Sequence, residues 1–277
     1  MKTGLVLEGG ALRGIFTSGA VDCFLMEDVR FDYVIGVSAG AGNITGLKSH
    51  QIGRTANAIA VSKENMYFGA MELLRSKKFL NLDKMFDVRG KNPLDFDAYF
   101  NDPTEAEFVV CGCESGEAEY LSEDKDEERL IKIVKASCSL PMFCAPVEID
   151  GRHYLDGGIG DAIPCDRALE RGCDRLVVVL TKPVGVLGED YAKYIRIIKR
   201  MYPQYPNFHR ACERRLQSYK RSLDRLDQLE REGRAIVIRP LHVISKFEKD
   251  IPTLRAFYRH GYTEARKNLK KIKAFLE

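Results

Sequence analysis

A glycine-flanked serine is the first group in this sequence with the right setting for chemistry. Residues 36–40 read GVSAG, the pattern G-x-S-x-G between a predicted strand and a predicted helix. Such a turn strains the serine and exposes its hydroxyl, while Gly36 and Gly40 let strand and helix approach without a Cβ clash. The following helix N-terminus favours developing negative charge. The segment predicts Ser38 as a nucleophile, although tight packing would explain it equally well.

A second glycine-rich segment, residues 9–14 (GGALRG), directly follows the first predicted strand. A glycine loop entering a helix offers backbone N–H groups to an anion, either a phosphate or the oxyanion of a tetrahedral intermediate. A dinucleotide fingerprint would need glycine in place of Ala11, and Asp32 is only a loose match to its acidic residue. An oxyanion hole explains both loops together, whereas a nucleotide site explains only one.

A nucleophilic serine needs a base, and the third segment, DGG at residues 156–158, offers Asp156. It follows residues 147–155, which are predicted to form a hairpin. The usual base is histidine, but none of the five histidines lies in a glycine-flanked turn, and His153 alternates along a strand in a structural position. An ionised aspartate within hydrogen-bond reach of the serine can replace it. Asp-Gly-Gly alone is an ordinary turn.

In this order the three segments resemble the motifs of the patatin-like phospholipase family. The resemblance covers residues 3–182 and includes supporting stretches at 136–154 and 163–164. It implies a dyad without histidine, in which Ser38 attacks an ester carbonyl and Asp156 accepts its proton. The remaining implied site residues are Gly9, Gly10, Ala11, Arg13 and Gly14 in the oxyanion loop, Gly36 and Gly40 in the nucleophile elbow, and Gly157 and Gly158 beside the aspartate.

Within the glycine loop the resemblance implies two different roles. Backbone N–H groups of Gly10 and Ala11, with those of Gly9, would hold the oxyanion, and Arg13 would fix the loop. Ala11 departs from the family's commonest triple glycine, a change that keeps the backbone donor and bears on the fit of bulky substrates. Asp161 is a second acid near the dyad, with either a structural role or an effect on the dyad's protonation.

The elements that must position these residues alternate between strand and helix. This alternation predicts an α/β fold with a mainly parallel central sheet covered by helices on both faces and a helical C-terminal extension. Predicted strands are 3–7, 31–37, 108–113, 176–180 and 235–239, and predicted helices are 15–26, 39–47, 127–137, 162–171, 207–233 and one that begins at Pro252.

The middle of the chain carries weaker signals. A helix is predicted at residues 66–74, whereas residues 91–103 show only turn and loop signals, and such a segment is suited to cap a pocket. The predicted domains are a catalytic core at residues 1–188 and a basic helical C-terminal region at residues 189–277, with one returning strand and packed on the core.

Charge is distributed unevenly along the chain. The 277 residues are 45% hydrophobic and 30% charged, which suits a soluble globular protein and excludes disordered and fibrous classes. Residues 191–277 carry a net charge of +13 and the remainder −10. This basic excess is either a solvated helical face or a surface for anionic membranes. The membrane hypothesis uses Arg214, Arg215, Lys220 and Arg221 on one helix and Lys267, Lys270, Lys271 and Lys273 on the last.

Cysteine spacing and hydropathy indicate the expected cellular compartment and cofactors of the protein. The eight cysteines are scattered without metal-binding or redox spacing and are expected to be reduced. No segment resembles a signal peptide or a membrane span, so a cytoplasmic protein, peripheral to membranes at most, is expected. No metal, organic cofactor or nucleic acid is implied, and self-association is left open.

Three functions are compatible with these residues. The first is hydrolysis of fatty-acyl esters, of phospholipids, lysophospholipids or neutral lipids, through an acyl-Ser38 intermediate. The second is a lipid-sensing or regulatory module with little turnover, against which the intact Ser38 and Asp156 weigh. The third, a nucleotide-binding α/β protein, explains the fewest motifs.

Overall fold

The computed structural model describes residues 1–60 and 67–277 and is built around one mixed sheet. Across these residues the strand order is β5-β6-β3-β2-β1-β7-β8, with β4 paired to β3. The strands are β1 (Thr3–Leu7), β2 (Tyr33–Val37), β3 (Glu105–Gly112), β4 (Ala118–Leu121), β5 (Val147–Ile149), β6 (Arg152–Asp156), β7 (Arg175–Val179) and β8 (Ala235–Ile238).

The parallel part of the sheet carries the loops of interest. Strands β3, β2, β1, β7 and β8 are parallel neighbours, whereas β4 and β6 run antiparallel to β3, and β5 to β6. Near-continuous apolar runs such as those of β1 and β7 are typical of strands buried on both faces. Because parallel strands end at the same edge, the loops after β1, β2, β7 and β8 meet there.

Helices flank both faces of the sheet, as the sequence predicts. Short 3₁₀ turns occur at Ala11–Arg13, Gly157–Ile159 and Tyr191–Tyr194. The described α-helices are α1 (Gly14–Met26), α2 (Ala39–Lys48), α3 (Arg54–Ile59), α4 (Ala70–Ser76), α5 (Leu82–Met85), α6 (Phe96–Asn101), α7 (Glu127–Ser137), α8 (Cys165–Glu170), α9 (Ile195–Met201), α10 (Pro206–Arg231) and α11 (Ile251–Leu276).

The sequence misplaces elements mainly between β2 and α7. The helix predicted at 66–74 begins only at Ala70, and Met66 lies outside the described residues. The loop predicted at 91–103 is wrong in part, because α6 lies within it. Asp95 caps that helix by accepting the Ala98 N–H at 2.9 Å, a capping signal that was missed. Strand β4 was also missed, because its half-buried residues lack an apolar run.

Alternate residues of β1 pack into two separate cores. Leu5 and Leu7 lie with Phe16 of α1 in the core that also contains α2, α7 and α11. Val6 lies with Leu226 of α10 in the core that contains α8. The sheet is therefore covered on both faces, and the predicted fold class is confirmed.

The last helix crosses the first at very short range. A Cβ at Gly19 of α1 would overlap the Tyr258 carbonyl oxygen of α11, and a Cβ at Gly261 would overlap that of Phe16. Strand β8 extends the sheet beside β7. Residues beyond 188 thus contact both the sheet and its helical layer, while a domain division at that point stays a prediction.

Two observations bear on the environment of the chain. In the two described ranges, none of the helices combines the length and apolar character needed to cross a bilayer. All eight cysteines are unpaired, and seven of them are buried.

Candidate active site

The turn between β2 and α2 holds Ser38 in a strained backbone conformation. Its φ of 53° and ψ of −118° lie where residues with a side chain rarely occur. A Cβ at Gly36 would lie 2.6 Å from the carbonyl carbon of Gly40, and one at Gly40 would overlap the Leu7 carbonyl oxygen. The two glycines let strand and helix meet closely at the serine.

A second serine, Ser137, fixes the backbone of the first. The Ser38 N–H donates to Oγ of Ser137 at 2.9 Å, and the Ser137 hydroxyl donates to the Val109 carbonyl of β3 at 2.6 Å. Ser137 is fully buried at the end of α7. Its place in the supporting stretch at residues 136–154, and on the buried face of the amphipathic helix α7, is the signal for this role in the sequence.

Asp156 ends β6 and caps the tight turn that follows. Its Oδ1 accepts the Gly158 N–H at 2.8 Å, and its own N–H donates to the Ser139 carbonyl at 2.9 Å. A Cβ at Gly157 would overlap the Val109 carbonyl oxygen, so this turn lies directly on β3. The glycines of the Asp-Gly-Gly segment therefore fix the carboxyl group against the sheet.

The Asp156 carboxyl is buried but has not lost all its capacity as a base. Burial raises its pKa to about 6, while the Ser38 hydroxyl, the Gly158 N–H and Arg215 each lower it in part. Asp156 Oδ2 has no hydrogen-bond partner among the described residues. The Ser38 hydroxyl is therefore near this carboxyl but does not form a hydrogen bond with Oδ2. Such catalytic hydrogen bonds commonly tighten only when substrate binds. At neutral pH the carboxyl is mainly ionised.

The glycine loop lies beside the serine and offers unused donors. Gly9, Gly10 and Ala11 line the same cavity as Ser38, and no described group accepts from the N–H groups of Gly10 and Ala11. A Cβ at Gly10 would lie 2.5 Å from Oγ1 of Thr181. Ala11 has a φ of 50°, in the left-handed region that favours glycine. The loop can present two backbone donors to an oxyanion.

Gly14 has a different position from the rest of that loop. It is not among the residues that line the cavity. A Cβ there would overlap that of Ala39, and its carbonyl accepts from the Asn43 side-chain amide at 3.2 Å. Gly14 thus serves the close contact between α1 and α2.

A buried carboxylate that was not anticipated holds the glycine loop from below. Glu8 forms an ion pair with Lys182 and accepts from the Thr181 N–H at 2.6 Å and the Tyr219 hydroxyl at 2.7 Å. Burial alone would raise the pKa of Glu8, but these partners bring it below its ordinary value. The Thr181 hydroxyl also donates to the Gly9 carbonyl at 2.8 Å. Strands β1, β7 and helix α10 are joined here.

Two cavities of opposite character meet at Ser38. The polar cavity contains the glycine loop, Asp156 and several charged side chains. The apolar cavity is lined mainly by hydrophobic side chains, and Ala11, Ser38 and Leu140 belong to both. Hydrophobic residues of the apolar cavity include Tyr67, Phe68, Leu80, Leu82, Met85 and Phe247.

Arg215 corrects one part of the predicted basic surface. It is half-buried in the polar cavity, where Nε donates to the Gly158 carbonyl at 3.0 Å and Nη1 to the Glu189 carbonyl at 2.7 Å. Its guanidinium also lies over the rings of Tyr191 and Tyr219. Its assignment to an exposed membrane-facing surface is therefore wrong, whereas the other seven basic residues of that surface are exposed.

The remaining titratable candidates, Asp161 and His153, line neither of the two cavities. Asp161 accepts from the Tyr120 hydroxyl at 3.0 Å, and burial raises its pKa to about 6. It is not among the groups that set the pKa of Asp156, which favours its structural role. His153 pairs with Glu114 at 3.0 Å, and none of the five histidines lines either cavity.

A family model described as patatin-like phospholipase matches residues 5–169, well over half of the chain. The chain belongs to the patatin-like phospholipase family. This is a family of lipid hydrolases. A second model, for a domain of unknown function (DUF6363), matches residues 205–277.

Two relatives match a large part of the chain. The uncharacterized Escherichia coli (strain K12) protein YjjU is 32% identical over 190 residues, which cover 66% of this chain and 52% of that protein. A probable lipid hydrolase of Invertebrate iridescent virus 6 is 24% identical over 187 residues, covering 60% of this chain and 63% of the viral protein. The chain thus spans about half to two thirds of the length of these relatives.

A solved structure has the same fold. The crystal structure of VipD from Legionella pneumophila matches with a TM-score of 0.51 at 16% identity, covering 98% of this chain and 67% of the other. At that identity the similarity shows the fold alone.

Proposed function

We propose that the protein is a serine acyl hydrolase that cleaves fatty-acyl esters of lipids through Ser38 and Asp156. The observation that carries this proposal is the shared cavity of a strained serine, a buried carboxyl and two unused backbone donors. Membership of the patatin-like phospholipase family supports the same reaction class.

The first half-reaction forms an acyl-enzyme. Asp156 takes the proton of the Ser38 hydroxyl as its oxygen attacks the ester carbonyl carbon, and the N–H groups of Gly10 and Ala11 stabilise the resulting oxyanion. When the intermediate collapses, the ester C–O bond breaks and Asp156 returns the proton to the leaving alcohol. Ser38 then carries the acyl group.

The second half-reaction releases the fatty acid. Asp156 takes a proton from a water molecule, whose oxygen attacks the acyl carbonyl and again places negative charge at the Gly10 and Ala11 donors. The bond to Ser38 breaks, and its oxygen regains the proton. The glycine loop and the carboxyl act twice, and no further group is needed for proton transfer.

The two cavities suggest how a lipid ester would lie. The apolar cavity, with Phe68 and Phe247 in its wall, suits the acyl chain, and the polar cavity suits the alcohol part. Both cavities contain Ser38. A bound ester would therefore have its scissile carbonyl at Ser38, with the apolar acyl chain on one side and the polar alcohol part on the other. That arrangement supports a lipid substrate over a small water-soluble ester.

The basic surface supports a further part of the proposal, which is reversible contact with anionic membranes from the cytoplasm. Seven exposed basic side chains on α10 and α11 could each contribute roughly 1 kcal/mol near such a membrane. The contact would bring the cavity to its lipid substrate. The seven basic side chains are those of Arg214, Lys220, Arg221, Lys267, Lys270, Lys271 and Lys273.

A fluorophosphonate probe tests the nucleophile directly. The expected result is covalent labelling of the peptide that contains Ser38, abolished in Ser38→Ala and retained in Ser218→Ala on α10. The same proteins are assayed for release of fatty acid from a monoacylglycerol. Labelling at another residue would contradict the assignment, and lipid binding without labelling or release would favour the lipid-sensing alternative.

A further inference from the structure

The polar cavity contains more basic than acidic side chains. Lys182 pairs with Glu8, and Lys246 pairs with Glu189. Both pairs are internal and leave their charges largely compensated. The cavity also contains two arginines and the Asp156 carboxyl. The net charge of the side chains that line the polar cavity is therefore positive. It becomes more positive when Asp156 takes up a proton during turnover.

The two arginines are held by neutral groups. Arg13 donates from Nε to the Ile244 carbonyl at 2.9 Å, and Arg215 donates to the carbonyls of Gly158 and Glu189. In the described part of the chain neither forms an ion pair with a carboxylate. Nη1 and Nη2 of Arg13 and Nη2 of Arg215 have no acceptor there. These donors can bind an anion without breaking an existing bond.

The cavity offers little to a bound cation. The carboxylates of Glu8 and Glu189 already contact lysines. The rings of Tyr191 and Tyr219 could otherwise attract a quaternary ammonium group, but the Arg215 guanidinium lies over both, 5.7 Å and 5.4 Å from their centroids. A zwitterionic head group would bring its positive end towards positive side chains.

We infer that Arg215, with Arg13, binds an anionic phosphate on the alcohol side of the scissile ester and makes the enzyme selective for phosphomonoester lipids over uncharged and zwitterionic ones. A guanidinium matches phosphate oxygens with paired donors. This specificity rests on the proposed acyl hydrolysis. Arg215 lies in the region matched only by the model of unknown function, so that region determines which substrate is accepted.

A purely structural role for Arg215 makes a different prediction. Its bond to the Gly158 carbonyl steadies the turn that carries Asp156, so losing it would slow every ester alike. Loss of phosphate recognition would slow only the phosphorylated ester. The ratio of kcat/KM values between substrates therefore separates the two roles.

The experiment uses three esters with one short acyl chain, kept below their micelle-forming concentrations: a monoacylglycerol, its 3-phosphate and its phosphocholine ester. The wild-type chain is expected to prefer the 3-phosphate by about tenfold or more in kcat/KM. Arg215→Gln should bring the ratio close to one, and Arg215→Lys should retain part of it. Arg225→Gln is the matched control, because Arg225 lies on the same helix but pairs with Asp166.

Each other outcome has a defined meaning. Equal loss on all three esters in Arg215→Gln, or no preference in the wild-type chain, would overturn the specificity while leaving the hydrolase proposal intact. A wild-type chain that hydrolysed none of the three would overturn both. Inorganic phosphate that accelerated hydrolysis of the uncharged ester would identify free phosphate as the ligand, and this too would overturn the inference.

Discussion

Ser38 and Asp156 reach one cavity from strands that are separated in the sheet by a single strand, β3. Val37, next to the serine, pairs with Val109, and Asp156 pairs with the adjacent Val110. The register of β3 therefore sets the distance between the proposed nucleophile and the proposed base. Ser137 and Gly157 both contact the Val109 carbonyl, so the same peptide group supports both members of the proposed dyad.

Removing either member of the dyad is expected to abolish turnover. Ser38→Ala and Asp156→Asn should each lower kcat/KM by at least about a thousandfold, because the two groups act as a unit. His153→Ala should change it little, since His153 pairs with Glu114. Steady-state hydrolysis of a monoacylglycerol measures all three variants. Retained activity in Asp156→Asn together with its loss in His153→Ala would mean that the base is histidine.

Activity should depend on pH through the buried carboxyl. Asp156 has a pKa raised to about 6 by burial, and only its ionised form can accept the serine proton. We expect kcat/KM to fall about tenfold per pH unit below this value. Asp161 has a similarly raised pKa and serves as the control, because Asp161→Asn should keep the acidic limb. If the acidic limb disappeared in Asp161→Asn, it would report ionisation of Asp161 and not of Asp156.

The same carboxyl should cost the protein stability at neutral pH. Because folding raises the pKa of Asp156 from 3.8 to about 6, the folded state binds this proton more tightly than the unfolded state. Wild-type stability therefore falls as pH rises from about 4 to about 6. Asp156→Asn cannot ionise and should be more stable by on the order of 3 kcal/mol at pH 8, and by little at pH 4.

Urea unfolding at both pH values measures this difference in the free energy of unfolding. Asp166→Asn, at an exposed aspartate, is the control and should change stability little at either pH. A less stable Asp156→Asn at pH 8 would show that the carboxylate itself holds the fold together.

Ala11→Gly should relieve strain without removing the oxyanion donor. A φ of 50° costs a residue with a Cβ roughly 1 kcal/mol, and glycine avoids that cost while keeping the N–H group. We expect the free energy of unfolding to rise by up to about 1 kcal/mol, with kcat/KM on small esters largely kept. Ala256→Gly, at an exposed position within α11, should lower it by about as much. Equal destabilisation by both changes would contradict strain at Ala11.

Anionic vesicles should bind the protein in a salt-dependent manner. Co-sedimentation is expected with anionic but not neutral liposomes at 0.1 M salt and to weaken at 1 M, where the Debye length falls from about 10 Å to about 3 Å. Replacing the four lysines of α11 with glutamate should abolish it. Equal binding to both vesicle types would contradict electrostatic membrane binding and would indicate that the basic surface is only a solvated helical face. The lysines are Lys267, Lys270, Lys271 and Lys273.

Local sequence patterns predicted many residues of this candidate site. They could not predict contacts between residues that are far apart in the sequence. The strand–turn–helix units and the glycine turns are encoded within a few residues each, so their positions could be predicted from the sequence. Ser137, by contrast, contacts a backbone 99 residues away, and Lys182 pairs with Glu8 174 residues away. Arg215 was assigned to a basic run because charge counts do not distinguish a side chain facing solvent from one entering a cavity.

The crossing of α1 and α11 limits how such chains can diversify. Because Gly19 and Gly261 each abut the opposing backbone, a C-terminal segment transplanted from a relative would seat only if it carried its own matching glycine. The loop before α11 is tied in as well, since the Lys246 carbonyl accepts the Leu12 N–H at 3.2 Å. The N-terminal and C-terminal parts of the chain are therefore not independent modules, and we expect their sequences to have changed in step during evolution.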